Sequence, residues 1–487
     1  MNNFSFMLSV FLLIGASTSA LAAEDEGEDS GVSLMEYAER ITVRVISTTR
    51  GVFSPSPEGG HGSGFIIQFD DEEGIIFTNR HVVENENPLA AQRLQLAFSS
   101  AHQGERPEVI PAKVKFISPI SDFAVVSFKV KDLTPETRAR MMAAVIPSPE
   151  EFEAVAAQGR EVVTYGHPLN GNNISTRGQI SGRHRDVADG EFIQIDAALN
   201  PGNSGGALID AETGSVIGIN TSGIRGASNI AFATPIVSAL RDFEEWQADN
   251  SFAHQRRIMA SFGLMTQEAM QREGIETLIE SIAPRFTKIF SAAPIVLTAA
   301  AESNLLAGDI IVKMQDTVIG NHIEMLRFLV QKSREEIPLT IIRNQQVMTV
   351  NAKIRDLHMA RLRSRSNFIL ISGLLLGPTD PYHQWRRSGL TSSVSILDRQ
   401  SESIASEVGG LLPGSIIVGV QVGGRQYPVR SLADIKAALN HREAGKPIRL
   451  ILHAPHVNID EETGNGNLIM DPIAEMPVIS PHTTVVS

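Results

Sequence analysis

Ser204 sits in Gly202-Asn203-Ser204-Gly205-Gly206, among glycines whose missing side chains permit sharp turns and leave backbone N–H groups bare. A hydroxyl in such a place can serve as a nucleophile once a base takes its proton, and the neighbouring N–H groups are raw material for an oxyanion hole. The string fits G-x-S-x-G, the nucleophile elbow of α/β-hydrolases, but that motif requires strand, turn and helix around the serine, with Asp and then His downstream. Here Ala207-Leu208-Ile209, a turn over 210–214 and Val216-Ile217-Gly218-Ile219 read as a hairpin, so the elbow fails on context. The partners lie upstream. Thr78-Asn79-Arg80-His81-Val82-Val83 ends one strand and Ser121-Asp122-Phe123-Ala124-Val125-Val126 begins another, which sets His81, Asp122 and Ser204 at intervals of 41 and 82 residues. The chemistry such a set can do is acyl transfer: the imidazole takes the serine proton and the carboxylate fixes the imidazole tautomer.

Those three residues need a rigid frame. Short β-rich runs at 41–46, 64–69, 74–78, 122–128, 161–165, 192–196, 207–209 and 216–220, separated by turn formers, predict an all-β barrel or sandwich. The His, Asp, Ser order is the one found in chymotrypsin-like double barrels. Before the first run, Ser33-x-x-Glu36 followed by Tyr37, Ala38 and Ile41 has the form of a capping box opening a short amphipathic helix. Past residue 250 the chain repeats itself. Leu305-Leu306-Ala307-Gly308-Asp309-Ile310-Ile311-Val312 matches Leu411-Leu412-Pro413-Gly414-Ser415-Ile416-Ile417-Val418 at an offset of 106 residues, and each copy is followed by a helical pattern and a last strand. That order predicts two duplicated α+β modules joined by the basic stretch 355–365.

Composition narrows the class of function. With 487 residues the chain has room for several domains, and 42% hydrophobic with 20% charged residues is a globular balance. A net charge of −13 argues against reading duplex nucleic acid through a basic face. There is no cysteine, hence no disulfide framework, thiolate nucleophile or Cys-ligated metal. His61, His102, His167 and His184 match no metal-ligand spacing, and H-E-x-x-H is absent, so no metal is expected. An apolar stretch over 4–15 followed by Ala20-Leu21-Ala22 reads as a cleavable signal peptide, too short to span a bilayer. The acidic residues 24–29 read as a solvated leader.

Gly62-Ser63-Gly64-Phe65-Ile66-Ile67, the His81 and Asp122 segments, Gly178-Gln179-Ile180-Ser181-Gly182, the core from Asp196 to Gly206 and Asn229-Ile230-Ala231-Phe232-Ala233-Thr234-Pro235 together resemble the protease domain of the HtrA/Deg (high-temperature-requirement A) family. The resemblance implies a multidomain protein: a signal peptide (1–22), an acidic leader (23–32), an all-β trypsin-like double β-barrel protease domain (33–245), two α+β PDZ-like domains (255–356 and 366–456) and a disordered tail (457–487). It implies Ser204 as nucleophile, His81 as general base and then acid, Asp122 as its orienting partner, and the backbone N–H groups of Gly202, Asn203 and Ser204 as oxyanion donors. A pocket walled by Asn220, Thr221 and Ser222 would favour small or medium apolar side chains. Ser261-Phe262-Gly263-Leu264 resembles the loop that receives a peptide C-terminal carboxylate, with Ile371-Ser372-Gly373-Leu374 as its nearest counterpart in the second module. Two features depart from the family pattern: Ala231 stands where a glycine is usual, and the loop between Ser54 and His61 is shorter than in cage-forming members.

Family members cleave unfolded or damaged proteins in the cell envelope as trimers or trimer-based cages, without metal or ATP. A periplasmic protein is the expectation, with no cofactor and no stable membrane span after signal cleavage, and with peripheral association with the envelope left open. A second reading stays open beside the protease: a chaperone or peptide-binding scaffold whose PDZ-like modules do the work while the protease domain is dormant.

Overall fold

A computed structural model describes residues 32–51, 58–84, 91–100, 105–167, 174–187, 190–200, 202–223, 230–249, 256–290, 292–299, 303–331, 335–356, 368–371, 374–379, 394–399, 414–441, 448–453, 456–459, 466–469 and 472–475. The expected signal peptide and acidic leader lie outside these residues, apart from Val32. The chain divides into two compact units whose main boundary falls between Ala253 and His254, two short earlier stretches (49–58 and 85–91) being grouped with the second.

The first unit opens with the helix Leu34–Ile41, where the Ser33 hydroxyl accepts the Glu36 N–H at 3.3 Å. Only half of the anticipated capping box forms, because the Glu36 carboxylate pairs with Arg40 one turn on. Tyr37, Ala38 and Ile41 form the buried face, and the Tyr37 hydroxyl accepts the Val145 N–H at 2.7 Å.

Six strands then close a barrel: β1 (Thr42–Arg50), β2 (Glu58–Phe69), β3 (Glu73–Thr78), β4 (Ala91–Phe98), β5 (Glu108–Ile117) and β6 (Ala124–Lys129), in the order β1-β2-β3-β6-β5-β4. A second closed barrel follows, from β7 (Glu161–Gly166), β8 (Ile174–Val187), β9 (Gly190–Ile195), β10 (Ala207–Asp210), β11 (Val216–Gly223) and β12 (Ala231–Pro235), in the order β10-β11-β12-β9-β8-β7. The choice left open between barrel and sandwich is thus settled, and closure leaves neither sheet with an edge. Alternation fills the first core with Val43, Val45, Ile66, Ile76, Leu96 and Val126. The helix Ile236–Ala248 ends the unit.

In the second unit, β13 (Arg256–Ile258), β14 (Ala260–Thr266), β15 (Ala292–Ala299), β16 (Ile310–Met314), β17 (Thr317–Val318), β18 (Glu336–Arg343) and β19 (Gln346–Asp356) form one sheet, ordered β13-β19-β18-β16-β15-β14 with β17 paired to β16. A second sheet contains β20 (Ile369–Ile371), β21 (Leu374–Pro378), β22 (Val394–Arg399), β23 (Ile416–Val422), β24 (Arg425–Pro428) and β25 (Ile448–His453). The anticipated helices are His322–Val330 and Leu432–Leu439.

The duplication is visible in the backbone. Gly308 and Gly414 both take positive φ, 91° and 85°. The Gly308 N–H donates to Val296 O while Val296 N–H donates to Asp309 O, and Gly414, Ile396 and Ser415 repeat this pair of bonds. With Val296 and Ile396 thus equivalent, Phe262 (paired with Val296) corresponds to Leu376 (paired with Ile396). The segment 457–487, anticipated as disordered, instead carries β26 (His456–Ile459), β27 (Gly466–Ile469) and β28 (Pro472–Glu475) among its described residues, with β28 adding to β25. β28 takes the edge beside β25, a free edge being a ready template for a further strand, while β26 and β27 pair with each other.

Tyr37→Phe removes the acceptor of the Val145 N–H and leaves a part-buried donor unpaired. The expected loss is about 1–2 kcal/mol, read as a lower urea midpoint of the barrel unit with unchanged slope.

Candidate active site

His81 lies in the single-turn helix Arg80–Val83, which follows Asn79 at the end of β3, and Asp122 lies in the turn that leads into β6. The two strands pair directly, Thr78 opposite Ala124, so the residues just beyond them face each other. Asp122 uses both carboxylate oxygens on the same partner: Oδ2 is 2.7 Å from His81 Nδ1, and Oδ1 accepts the His81 backbone N–H at 3.1 Å. Burial pushes the Asp122 carboxyl up, but the His81 imidazole, its hydrogen bonds and the nearby Arg80 guanidinium outweigh this and hold it at about 2. The carboxylate is therefore charged at any pH where the protein works, and it fixes Nδ1 as the protonated nitrogen, leaving Nε2 free to accept. The His81 side chain is 45% exposed, open toward a substrate.

The nucleophile turn hangs between the two barrels. Gly205 N–H donates to Asn220 O at 2.7 Å and Asn220 N–H to Gly206 O at 2.9 Å, which ties the turn to β11. From β2 of the first barrel, Ser63 N–H donates to Ser204 O and the Ser63 hydroxyl to Gly202 O, both at 2.7 Å. The same hydroxyl accepts the His167 N–H at 2.8 Å, and the Ser63 carbonyl accepts the Thr78 hydroxyl at 2.7 Å. Every polar group of Ser63 is thus engaged, and its N–H and hydroxyl both hold the turn. Asn79 adds a second link, donating through Nδ2 to Asp122 O at 3.0 Å and to Thr221 Oγ1 at 3.2 Å. Sequence reasoning found Ser63 and Asn79 only as members of longer motifs; nothing in their spacing marks them as links.

Of the three anticipated oxyanion donors, the Gly202 and Ser204 N–H groups carry no hydrogen bond among the described residues, whereas the Asn203 N–H donates to Asn200 O at 3.0 Å and is spent. The Ser204 hydroxyl donates to Thr221 O at 2.7 Å, and no hydrogen bond joins it to His81. The anticipated pocket wall differs as well. Asn220 is wholly buried with Nδ2 on Ala207 O at 2.9 Å, and the Thr221 hydroxyl donates to Ile219 O at 3.1 Å. The β11–β12 register slips between Asn220 and Ser222, and this bulge lets two successive side chains turn inward, so Thr221 offers the site its carbonyl instead of its side chain. The side chain of Ser222 lies outside the described residues, as do those of Ser261 and His184, and all of His102.

Two closed six-stranded barrels, a carboxylate-bound histidine at the end of one and a glycine-flanked serine in the turn before β10 of the other define a trypsin-like serine endopeptidase. Residues 62–219 match the family model described as "Trypsin-like peptidase domain". The chain is 26% identical over 397 residues to the periplasmic serine endoprotease DegP of Salmonella typhimurium, an alignment covering 78% of this chain and 72% of that one. It is 28% identical over 306 residues to HhoA of Synechocystis sp., covering 61% of this chain and 71% of that one. A solved serine endoprotease from Yersinia pestis, 22% identical, covers 67% of this chain and 99% of its own with a TM-score of 0.42. The similarity is to serine proteases of the HtrA/Deg type.

Gly205 has φ of 87°, and a Cβ there would lie 2.0 Å from Ser63 O and 2.4 Å from Thr78 Oγ1. Gly205→Ala must displace the turn from Ser63, and it is expected to slow fluorophosphonate labelling by about 100-fold or more; labelling at the wild-type rate would contradict the clamp.

Proposed function

We propose that this protein is an exported, ATP-independent serine endopeptidase that cuts unfolded or damaged proteins in the cell envelope, with Ser204, His81 and Asp122 as its catalytic residues. The observation that carries the reading is the grip of Asp122 on His81 beside a serine flanked by two uncommitted N–H groups. Ser204 Oγ attacks the scissile carbonyl as its proton passes to His81 Nε2, and Gly202 and Ser204 N–H receive the developing oxyanion. The same proton then goes to the leaving amine, and water repeats the sequence to release the acyl group. Location rests on the signal-like N-terminus and on kinship with a periplasmic relative. Among the described residues no helix is long and apolar enough to cross a membrane. The family resemblance points to assembly as a trimer or a trimer-based larger oligomer.

The C-terminal modules read as PDZ-like, with different roles. The segment Ser261-Phe262-Gly263-Leu264, anticipated as a loop, is part of β14, which pairs with β15 on one side and, among the described residues, ends its sheet on the other. Beside it stands the helix His322–Val330, with His322 stacked on Phe262 at 5.5 Å. A free edge flanked by a helix suits the addition of an extended peptide as a further strand. In the second module the register equivalent is Leu375-Leu376-Gly377-Pro378, and its outer edge is taken by β20, Ile369 opposite Leu376 and Ile371 opposite Leu374. Ile369 and Ile371 are buried in that module's core. Peptide C-termini are therefore assigned to the first module and a structural role to the second.

The orientation of the Ser204 hydroxyl toward Thr221 favours a second reading, a chaperone or scaffold with a dormant protease, because a serine in that rotamer is not yet coupled to its base. Degradation of reduced casein and fluorophosphonate labelling separate the two. Cleavage and labelling by the wild type, both abolished in Ser204→Ala, establish the protease; aggregation suppressed equally by both proteins without any cleavage favours the scaffold. For the modules, a fluorescent peptide with an apolar C-terminus is expected to bind the intact Ser204→Ala chain. Phe262→Asp should weaken that binding about tenfold or more while Leu376→Asp, at the covered edge, should not; the opposite pattern would reverse the assignment.

A further inference from the structure

Asp242 lies on the helix Ile236–Ala248 and is fully buried. Its Oδ2 accepts the Ser118 hydroxyl at 2.6 Å and the Ser121 hydroxyl at 2.8 Å, across 124 and 121 residues of sequence. Both serines belong to the turn that presents Asp122. The Ser118 oxygen also accepts the N–H groups of Ile120 at 3.1 Å and Ser121 at 2.9 Å, and the turn closes through Phe123 N–H on Ser121 O and Ser118 N–H on Phe123 O, each 2.9 Å. Arg80, the neighbour of His81, donates to Ser118 O at 3.3 Å.

We infer that Asp242 is a positioning residue for the catalytic pair, holding the Ser118–Phe123 turn so that the Asp122 carboxylate meets His81 in the required geometry; this rests on the serine-peptidase reading above. Packing alone would seat the helix. Phe243 lies edge-on to Phe77 at 5.5 Å and Trp246 stacks on Phe116 at 5.2 Å, within the aromatic cluster that includes Phe123. A buried carboxylate adds nothing to such a cluster that an apolar residue could not, and desolvation counts against it. What an apolar residue cannot do is accept two hydroxyl protons at one point. Ser118 has both lone pairs engaged by N–H groups, so its single proton must find an outside acceptor, and Asp242 supplies it.

The test compares Asp242→Leu, which removes the acceptor, with Asp242→Asn, whose amide oxygen can take both hydroxyl protons without the charge. Asp242→Leu is expected to lower kcat on a chromogenic peptide by about 10- to 100-fold with KM within about twofold, and Asp242→Asn to recover most of that loss. The low-field proton resonance of His81 Nδ1–H, assigned by its loss in Asp122→Ala, should shift or broaden in the Leu variant and persist in the Asn variant. If Asp242→Leu does not fold by circular dichroism, Ser118→Ala and Ser121→Ala carry the same expectation. A folded variant with wild-type kcat and an unmoved resonance overturns the inference, as does a fall in kcat with the resonance unmoved, since that is general destabilisation. Ser204→Ala runs in parallel: hydrolysis persisting there sinks the peptidase reading itself, while the resonance still reports on Asp242.

Discussion

A carboxylate that must stay charged while nearly out of water governs the first barrel. Asp122 is 8% exposed, and burial by itself would drive it toward the neutral acid. It stays ionised because His81 presents a ring nitrogen and a backbone N–H together, and only the first residues after β3 can do so from a helical turn. That requirement makes β3 and β6 neighbours although β4 and β5 come between them in sequence, and it sends the β4–β5 pair to the far side of β6, where the barrel closes. The interaction also links protonation to folding. A carboxyl lowered from 3.8 to about 2 contributes its full stabilisation above the unfolded value and loses it as pH falls through the folded one.

The second constraint is that neither barrel holds the nucleophile alone. Ser63 in β2 binds the carbonyls of Gly202 and Ser204, while Asn220 in β11 binds Gly205 and Gly206. A turn gripped from both sides can present two bare N–H groups at little further cost, because the carbonyls that would otherwise compete for space are already committed. The Ser204 hydroxyl itself is turned to Thr221 O and makes no hydrogen bond to His81 among the described residues.

Much of this was legible in the sequence, for physical reasons that also explain the gaps. The eight β-rich runs alternate or are continuously apolar, and each overlaps a strand, with 41–46, 122–128 and 192–196 overhanging theirs by one or two residues. β5 escaped notice because Pro111, Lys113 and Lys115 interrupt its pattern, and β8 because Thr176, Arg177 and Arg183 make it read as polar. The triad was readable because Gly-x-Ser-Gly-Gly, strand-end His and strand-start Asp each carry local signatures. Hydrogen bonds that span the chain carry none: Ser63 meets Gly202 across 139 residues, and Asp242 looks like any acid on an amphipathic helix. Alignment by composition also misplaced the second module's counterpart of Ser261–Leu264, since Ile371-Ser372-Gly373-Leu374 resembles it better than Leu375-Leu376-Gly377-Pro378, which shares its register.

The two C-terminal modules show how a duplicated unit can lose a partner without losing its fold. β13 and β20 occupy comparable places ahead of β14 and β21, yet β13 crosses to pair with β19 while β20 doubles back on β21. A strand tethered by two intervening residues competes for that edge at an effective concentration that a free peptide in solution does not approach. In the second module that edge is thus taken by the chain's own β20, whereas among the described residues β14 of the first module pairs on one side only.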